Sequence, residues 1–202
     1  MKRKNIFFTL LEMLFSKNFY HFIALKTYTG FHRFLFMKQL RTQYPDTIIA
    51  DDIIIPNPDH VRIGEKCIID PGCNFNCGYS PHLGNINLGR QVIIGYNTTL
   101  YAGAGKITIE NNVDLGINSI LTTQTRSMKQ NPVQDPVNFE HVYGEIFIGE
   151  GTMVASNVTI LSGTTLGKYC NIVAGSVVQG NYPDNTTLAG NPARPLPRIK
   201  FN

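Results

Sequence analysis

The sequence has no tryptophan, and only 16% of its residues are charged, against about a quarter in an average soluble protein. So sparse a charge excludes a long solvent-exposed coiled coil, and a hydrophobic content of 43% excludes an intrinsically disordered chain. No apolar run approaches the roughly 18 uncharged residues of a membrane-spanning helix. The four cysteines, Cys67, Cys73, Cys77 and Cys170, form neither a CxxC pair nor a zinc-ligand spacing. A chain of 202 residues is also too long to depend on a disulfide framework. A reduced, cytoplasmic setting is therefore expected. Met1-Lys2-Arg3-Lys4 followed by Ile6-Phe7-Phe8 has the outline of a secretory signal. Glu12 interrupts that apolar region and no small-residue cleavage site follows, so a signal peptide is not expected.

What charge there is lies unevenly. The first 42 residues carry eight basic side chains and one acid, a net of +7, while the remaining 160 carry a net of −3, which together make the formal +4. Ten of the 21 Phe and Tyr residues also fall in those 42 positions. Phe7, Leu10, Leu11, Leu14 and Phe15 mark one apolar helical face, and Phe31, Phe34 and Leu35 continue the period. Two helices are predicted, about 5–25 and 29–43, ended by Pro45 and Asp46. Two accounts of this segment stay open. Its aromatic faces pack on the rest of the protein or on a partner subunit, or it lies as a basic amphipathic helix on the anionic inner face of a membrane. A nucleic-acid role is not expected, because the excess positive charge sits with Phe-rich helices and the remainder is slightly acidic.

That remainder is a repeat. Ile148, Val154, Ile160, Leu166, Ile172 and Val178 recur every six positions. Four positions after the first five sit Thr152, Val158, Thr164, Cys170 and Ser176, which are mostly small. Ile63, Ile69 and Phe75, then Leu88, Ile94 and Leu100, then Ile109, Leu115 and Leu121 repeat the pattern. Their companions include Cys67, Cys73, Val92, Thr98, Ala104, Val113 and Ser119. Neither a helical period nor strand alternation produces a spacing of six. One bulky and one small inward residue per repeat fits a triangular prism. Each face is a short strand, and successive coils stack as parallel strands about 4.8 Å apart. The open ends of such a solenoid need caps, for which the N-terminal helices and the Pro-rich tail from Asn181 are available. Cys67, Cys73 and Cys170 then sit at small inward positions and behave as small hydrophobes.

Three frame breaks interrupt the repeat. One residue is inserted around Ser80-Pro81-His82 and three around Gly103-Ala104-Gly105. A long excursion separates Leu121 from Ile148 and contains Arg126, Lys129, Pro132, Pro136 and His141. A regular solenoid with one long loop points to a functional loop. The expected organisation is an N-terminal amphipathic helical segment at 1–45, the solenoid at 46–186 with its long loop at 122–147, and a capping tail at 187–202.

Several motifs carry a family resemblance over roughly residues 60–200. Gly144-Glu145-Ile146-Phe147-Ile148-Gly149-Glu150, Ile160-Leu161-Ser162-Gly163-Thr164-Thr165-Leu166-Gly167, Ala174-Gly175-Ser176-Val177-Val178 and Ala189-Gly190-Asn191-Pro192-Ala193-Arg194 resemble the hexapeptide-repeat acyltransferases. Sugar O- and N-acetyltransferases are among them. The resemblance implies a left-handed parallel β-helix with an N-terminal α-helical segment. It implies a homotrimer whose active sites lie between neighbouring subunits, and acetyl-CoA as the acyl donor. It implies a saccharide acceptor, free or linked to a nucleotide or lipid, in surface polysaccharide or glycolipid assembly. Ser156, Ala174 and Arg194 fall where related sugar acetyltransferases contact CoA, with Arg198 and Lys200 near enough to help meet its phosphates.

One departure bears on the chemistry. The family's general base is a histidine in a T-x-x-H context, but this stretch reads Leu121-Thr122-Thr123-Gln124-Thr125-Arg126-Ser127. Arg126, or Gln124, occupies the histidine slot, and an arginine stays protonated and cannot act as a base. Met153 also stands where the family has tryptophan, and Ala155 where it has glycine. Three alternatives remain. His141 in the long loop is the base, or an ordinary surface histidine. His82, at the first insertion, is a weaker alternative. Or no base is needed, because the acceptor is an amine or because the chain binds CoA or sugar without turnover, or is a structural trimer. Arg126 then binds an anionic acceptor or is a solvated loop residue. A zinc hydratase of the same fold would need three histidines on stacked coils, which His21, His32, His60, His82 and His141 do not supply, so no metal is expected.

Overall fold

The computed structural model describes residues 34–35, 37–79, 81–126 and 141–197. The chain divides into two compact units, Met1–Gln43 and Tyr44–Asn202. Of the first unit, residues 34–35 and 37–43 are helical, with Met37 and Leu40 buried and Phe34 and Leu35 exposed. The helix expected at 5–25 lies outside the described residues. Pro45 and Asp46 form a turn, as a helix stop requires. No helix among the described residues is long and apolar enough to cross a membrane.

The second unit is a prism of three parallel sheets. One face stacks Ile48–Ile49, Ile68–Ile69, Ile93–Ile94, Asp114–Leu115, Met153–Val154, Asn171–Ile172 and Thr187–Gly190. The next stacks Asn74–Asn76, Thr99–Tyr101, Ile120–Thr122, Thr159–Leu161 and Val177–Val178. The last stacks Val61–Arg62, Asn85–Leu88, Lys106–Ile109, Glu145–Ile148, Thr164–Leu166 and Asn181–Tyr182. Register follows the repeat: Ile94 pairs with Leu115, Leu115 with Val154 and Val154 with Ile172. The bulky positions therefore superpose along the axis. Ile63, Ile69, Phe75, Leu88, Ile94, Leu100, Ile109, Leu115, Leu121, Ile148, Val154, Ile160, Leu166, Ile172 and Val178 are all buried. At the C-terminal end Ala193–Pro195 turns back antiparallel onto Thr187–Gly190, with Leu188 and Ala193 buried beneath it. That hairpin blocks an edge that would otherwise offer unpaired backbone groups.

The small inward positions are as expected, with one correction. Ala104 is only half-buried, and Ala102 is the buried residue instead. The three-residue insertion begins right after Ala102, so the chain leaves the prism before Ala104 is reached. Cys77, for which the repeat offered no account, is fully buried beside the start of the first insertion. The thiols of Cys67, Cys73, Cys77 and Cys170 are all free and buried. Burial raises each of them above the ordinary thiol value, Cys73 and Cys77 to about 11.

Candidate active site

The three frame breaks leave the prism at a single corner, between the second face and the last. The first is an antiparallel hairpin pairing Gly78–Tyr79 with His82–Leu83. The second is the tight turn at Gly103 and Ala104. The third is a hairpin pairing Gln124–Arg126 with His141–Tyr143. Their roots stack rung upon rung, because Asn76 pairs with Tyr101 and Tyr101 with Thr122. The chain rejoins the prism at Gly84, Gly105 and Gly144, which are also stacked. A Cβ on Gly84 would collide with the Gly105 carbonyl, and one on Gly105 with the Gly144 carbonyl. Buried Thr123 closes this root by donating its hydroxyl hydrogen to the Ala102 carbonyl.

Three histidines and three tyrosines lie along this corner. The Gln124 side-chain amide nitrogen lies 2.5 Å from His141 Nδ1. With that nitrogen donating, the imidazole carries its proton on Nε2. Turned by 180°, the amide presents its oxygen to Nδ1–H and leaves the Nε2 lone pair free, as a general base requires. Register places the Arg126 backbone directly opposite His141, and Gln124 opposite Tyr143. The slot that lost its histidine thus adjoins another histidine across the hairpin. His141 and Tyr143 have ring centroids 6.2 Å apart. Tyr143 covers Gly103 so closely that a Cβ there would lie 2.8 Å from its ring. Burial first, then the neighbouring Tyr143 and Tyr79 phenols, raise the Tyr101 hydroxyl above its ordinary value. His82 pairs with Tyr79 on the first hairpin and is exposed, two rungs or about 10 Å along the axis from the root of the second. His60, which has no role in the sequence reading, holds its Nδ1 3.0 Å from the Gly84 carbonyl at the same corner.

A second feature lies on the first face, where it turns toward the next. A groove of about 410 Å³ runs over Asp114, Gly116, Met153, Ala155, Asn171, Val173 and Ala174. Its floor is small because Gly116 stacks on Ala155, and a Cβ on Gly116 would lie 2.6 Å from the Ala155 carbonyl carbon. Met153 forms one wall and is 57% exposed. Burial alone raises the Asp114 carboxyl above the usual carboxylate value.

The sequence-predicted residues divide between these places. His141 and the Arg126 backbone belong to the insertion corner, with His82 on the neighbouring hairpin. Ala174 lines the groove, and half-buried Ser156 follows Ala155, its carbonyl accepting from Gly175 N–H at 3.0 Å. Arg194 lies on the closing hairpin, exposed, its guanidinium donating to the Ala193 carbonyl at 3.0 Å. Arg198 and Lys200 lie outside the described residues. Sequence reasoning missed Tyr79, Tyr101, Tyr143 and Asp114. The signal for the tyrosines was present, since each frame break follows the third bulky residue of its coil.

Comparison with known proteins places this geometry. Residues 145–180 match the bacterial transferase hexapeptide (six repeats) family model. A Schizosaccharomyces pombe protein named as an acetyltransferase is 32% identical over 65% of this chain and 59% of its own length. The galactoside O-acetyltransferase of Escherichia coli K12 is 31% identical over 68% of this chain and 63% of its own. The chain thus spans about three fifths of the length of the curated relatives it matches. A hexapeptide-repeat-containing acetyltransferase of Vibrio cholerae, solved with acetyl coenzyme A, is 26% identical, covering 71% of this chain and 74% of that one at a TM-score of 0.58. Repeat, prism and relatives agree that this is a hexapeptide-repeat chain with the left-handed parallel β-helix fold. Its resemblance to the hexapeptide-repeat acyltransferases, sugar acetyltransferases among them, stands.

Proposed function

We propose that this protein is an acetyl-CoA-dependent acyltransferase that acetylates a saccharide hydroxyl or amine in surface polysaccharide or glycolipid assembly. The observation that carries the reading is the pairing of His141 with Gln124 at the corner where all three insertions converge. In O-transfer, with the Gln124 amide oxygen accepting from His141 Nδ1–H, the acceptor hydroxyl gives its proton to His141 Nε2 while its oxygen bonds to the acetyl carbonyl carbon. The carbon–sulfur bond then breaks, and the leaving thiolate takes the proton, giving an acetylated sugar and a free thiol. Gln124 is the positioning residue that fixes the ring through Nδ1. Arg126 is assigned to an anionic group on the acceptor, such as the phosphate of a nucleotide or lipid link.

The groove over Gly116, Ala155 and Ala174 is assigned to the pantetheine arm of acetyl-CoA, with Ser156 beside it. Its small side chains admit a narrow flexible ligand. Arg194, Arg198 and Lys200 are assigned to the phosphates. The protein is assigned as a homotrimer, supported by exposed apolar side chains outside the groove that include Ile93, Ile117 and Ile120. For residues 1–42 two placements are proposed at a cytoplasmic location: packing on the rest of the protein or on a partner subunit, and a peripheral contact with an anionic membrane face. Liposome flotation separates them: with a membrane contact, recovery with anionic vesicles falls when residues 1–42 are removed, and equal recovery refutes the contact.

Thiol release from acetyl-CoA in the presence of a sugar panel tests the activity. His141→Ala lowers turnover by about 100-fold or more, within the usual range for a general base. Gln124→Ala lowers turnover less, with KM for acetyl-CoA unchanged. Thiol release that survives His141→Ala removes His141 as the base.

A further inference from the structure

The first insertion hairpin and the three tyrosines are not used by the proton transfer. Tyr79 stands on that hairpin and is 75% exposed, and Tyr143 stands on the second hairpin, 37% exposed. Tyr101 lies between them on the prism wall, in register with Asn76 below and Thr122 above. Three coils thus each send one tyrosine to the corner that holds the Gln124–His141 pair. Solvent-facing aromatic rings carry an unfavourable apolar area, and Tyr79 and Tyr143, with half-buried Tyr101 between them, form a surface suited to a flat, partly apolar ligand. Each also presents a hydroxyl at its rim. A hexopyranose ring matches both features. Its axial C–H bonds carry partial positive charge toward an electron-rich aromatic face, and its equatorial hydroxyls reach donors and acceptors at the edge.

We propose that Tyr79, Tyr101 and Tyr143 form a stacking cradle that binds the neutral hexopyranose ring of the acceptor and sets its specificity. This rests on the saccharide-acceptor reading and adds that ring recognition is by aromatic faces. Tyr79 and Tyr143 form the sides, and Tyr101 the base. The side chains of Gln124 and His141 lie next to Tyr143. A stacked ring therefore rests with one hydroxyl edge toward the imidazole. The first hairpin then has a function that its place two rungs from His141 otherwise leaves unexplained: it carries the far wall of the acceptor site.

The test uses the full chain and exploits its composition, since with nine tyrosines and no tryptophan its intrinsic fluorescence is tyrosine fluorescence. Methyl α-D-glucopyranoside, methyl β-D-glucopyranoside and methyl β-D-galactopyranoside are titrated separately. At least one gives a saturable change in emission. Tyr79→Ala and Tyr143→Ala weaken that binding at least tenfold, whereas Tyr79→Phe and Tyr143→Phe stay within about threefold of the parent. In turnover, Tyr79→Ala, the variant farther from His141, raises KM for the glycoside proportionally more than it lowers kcat, and leaves the KM for acetyl-CoA near the parent value. The proposal is overturned if no glycoside perturbs the emission, if the Ala variants bind as the parent does, or if the Phe variants lose as much as the Ala variants. Its failure is separable from that of the activity: thiol release without tyrosine perturbation sinks the cradle alone, and glycoside binding without thiol release sinks the activity alone.

Discussion

At the scale of single residues, burial decides how each polar group behaves. Asp114 stands in an outward rank between Ile93 and Met153, and burial raises its carboxyl pKa. A carboxyl with a raised pKa in the folded state binds its proton more tightly there than in the unfolded chain. The contribution of this group to stability is therefore most favourable below the unfolded value near 3.9. It declines as pH rises from that value to the folded one, and stays lower above it. Asp114→Asn keeps a neutral side chain at every pH, so the variant melts higher than the parent at pH 7 and the gap closes below about pH 3. Thermal melts across that range check this, and a parent that melts higher at pH 7 refutes it. The four thiols follow the same logic. Cys73 and Cys77, raised to about 11, have almost no thiolate at neutral pH and no access to solvent. Iodoacetamide at pH 8 leaves all four cysteines of the folded protein unmodified and alkylates them after denaturation.

The elements show why the sequence reading reached some features and not others. Fifteen bulky positions at a period of six were predicted inward, and all are buried, because a prism has one axis and every coil must fill it. Leu115→Ala at the centre of that axis costs about 2–5 kcal/mol by denaturant titration, as for other large-to-small core changes. The frame breaks were visible as missing register, but their shapes were not. Hairpin pairing of Gly78–Tyr79 with His82–Leu83 depends on local turn chemistry rather than on the repeat. The misplaced companion Ala104 has the same origin, since counting four from Leu100 ignores where the insertion starts. His141 was legible as the one histidine of the long loop. Its partner Gln124 was not, because the contact joins residues 17 apart across a hairpin with no sequence signature. The rejoining glycines are a further case. Gly105→Ala places a methyl group against the Gly144 carbonyl and against the Thr123 side chain. It lowers stability by about 1–3 kcal/mol, measured by thermal or urea unfolding.

For the whole molecule, the charge division separates a basic, aromatic front from a nearly neutral solenoid, and each part carries its own test. Outside the groove, the solenoid exposes Tyr96, Ile117, Ile120 and Tyr169, more large apolar side chains than a solitary prism needs. The proposed trimer would cover them. Light scattering is expected to give three times the chain mass of 22.6 kDa, and Ile117→Lys to shift the particle toward the monomer. A parent that stays monomeric at micromolar concentration contradicts that assembly.

The central claim is that the groove over Gly116, Ala155 and Ala174 receives the arm of acetyl-CoA. Isothermal titration of the full chain with acetyl-CoA tests it most directly, with Ala174→Trp as the control that fills the groove without touching the core. The account predicts saturable binding at one site per chain in the parent, and at least a tenfold loss in Ala174→Trp. Absence of binding in the parent, or equal binding by the two proteins, contradicts it.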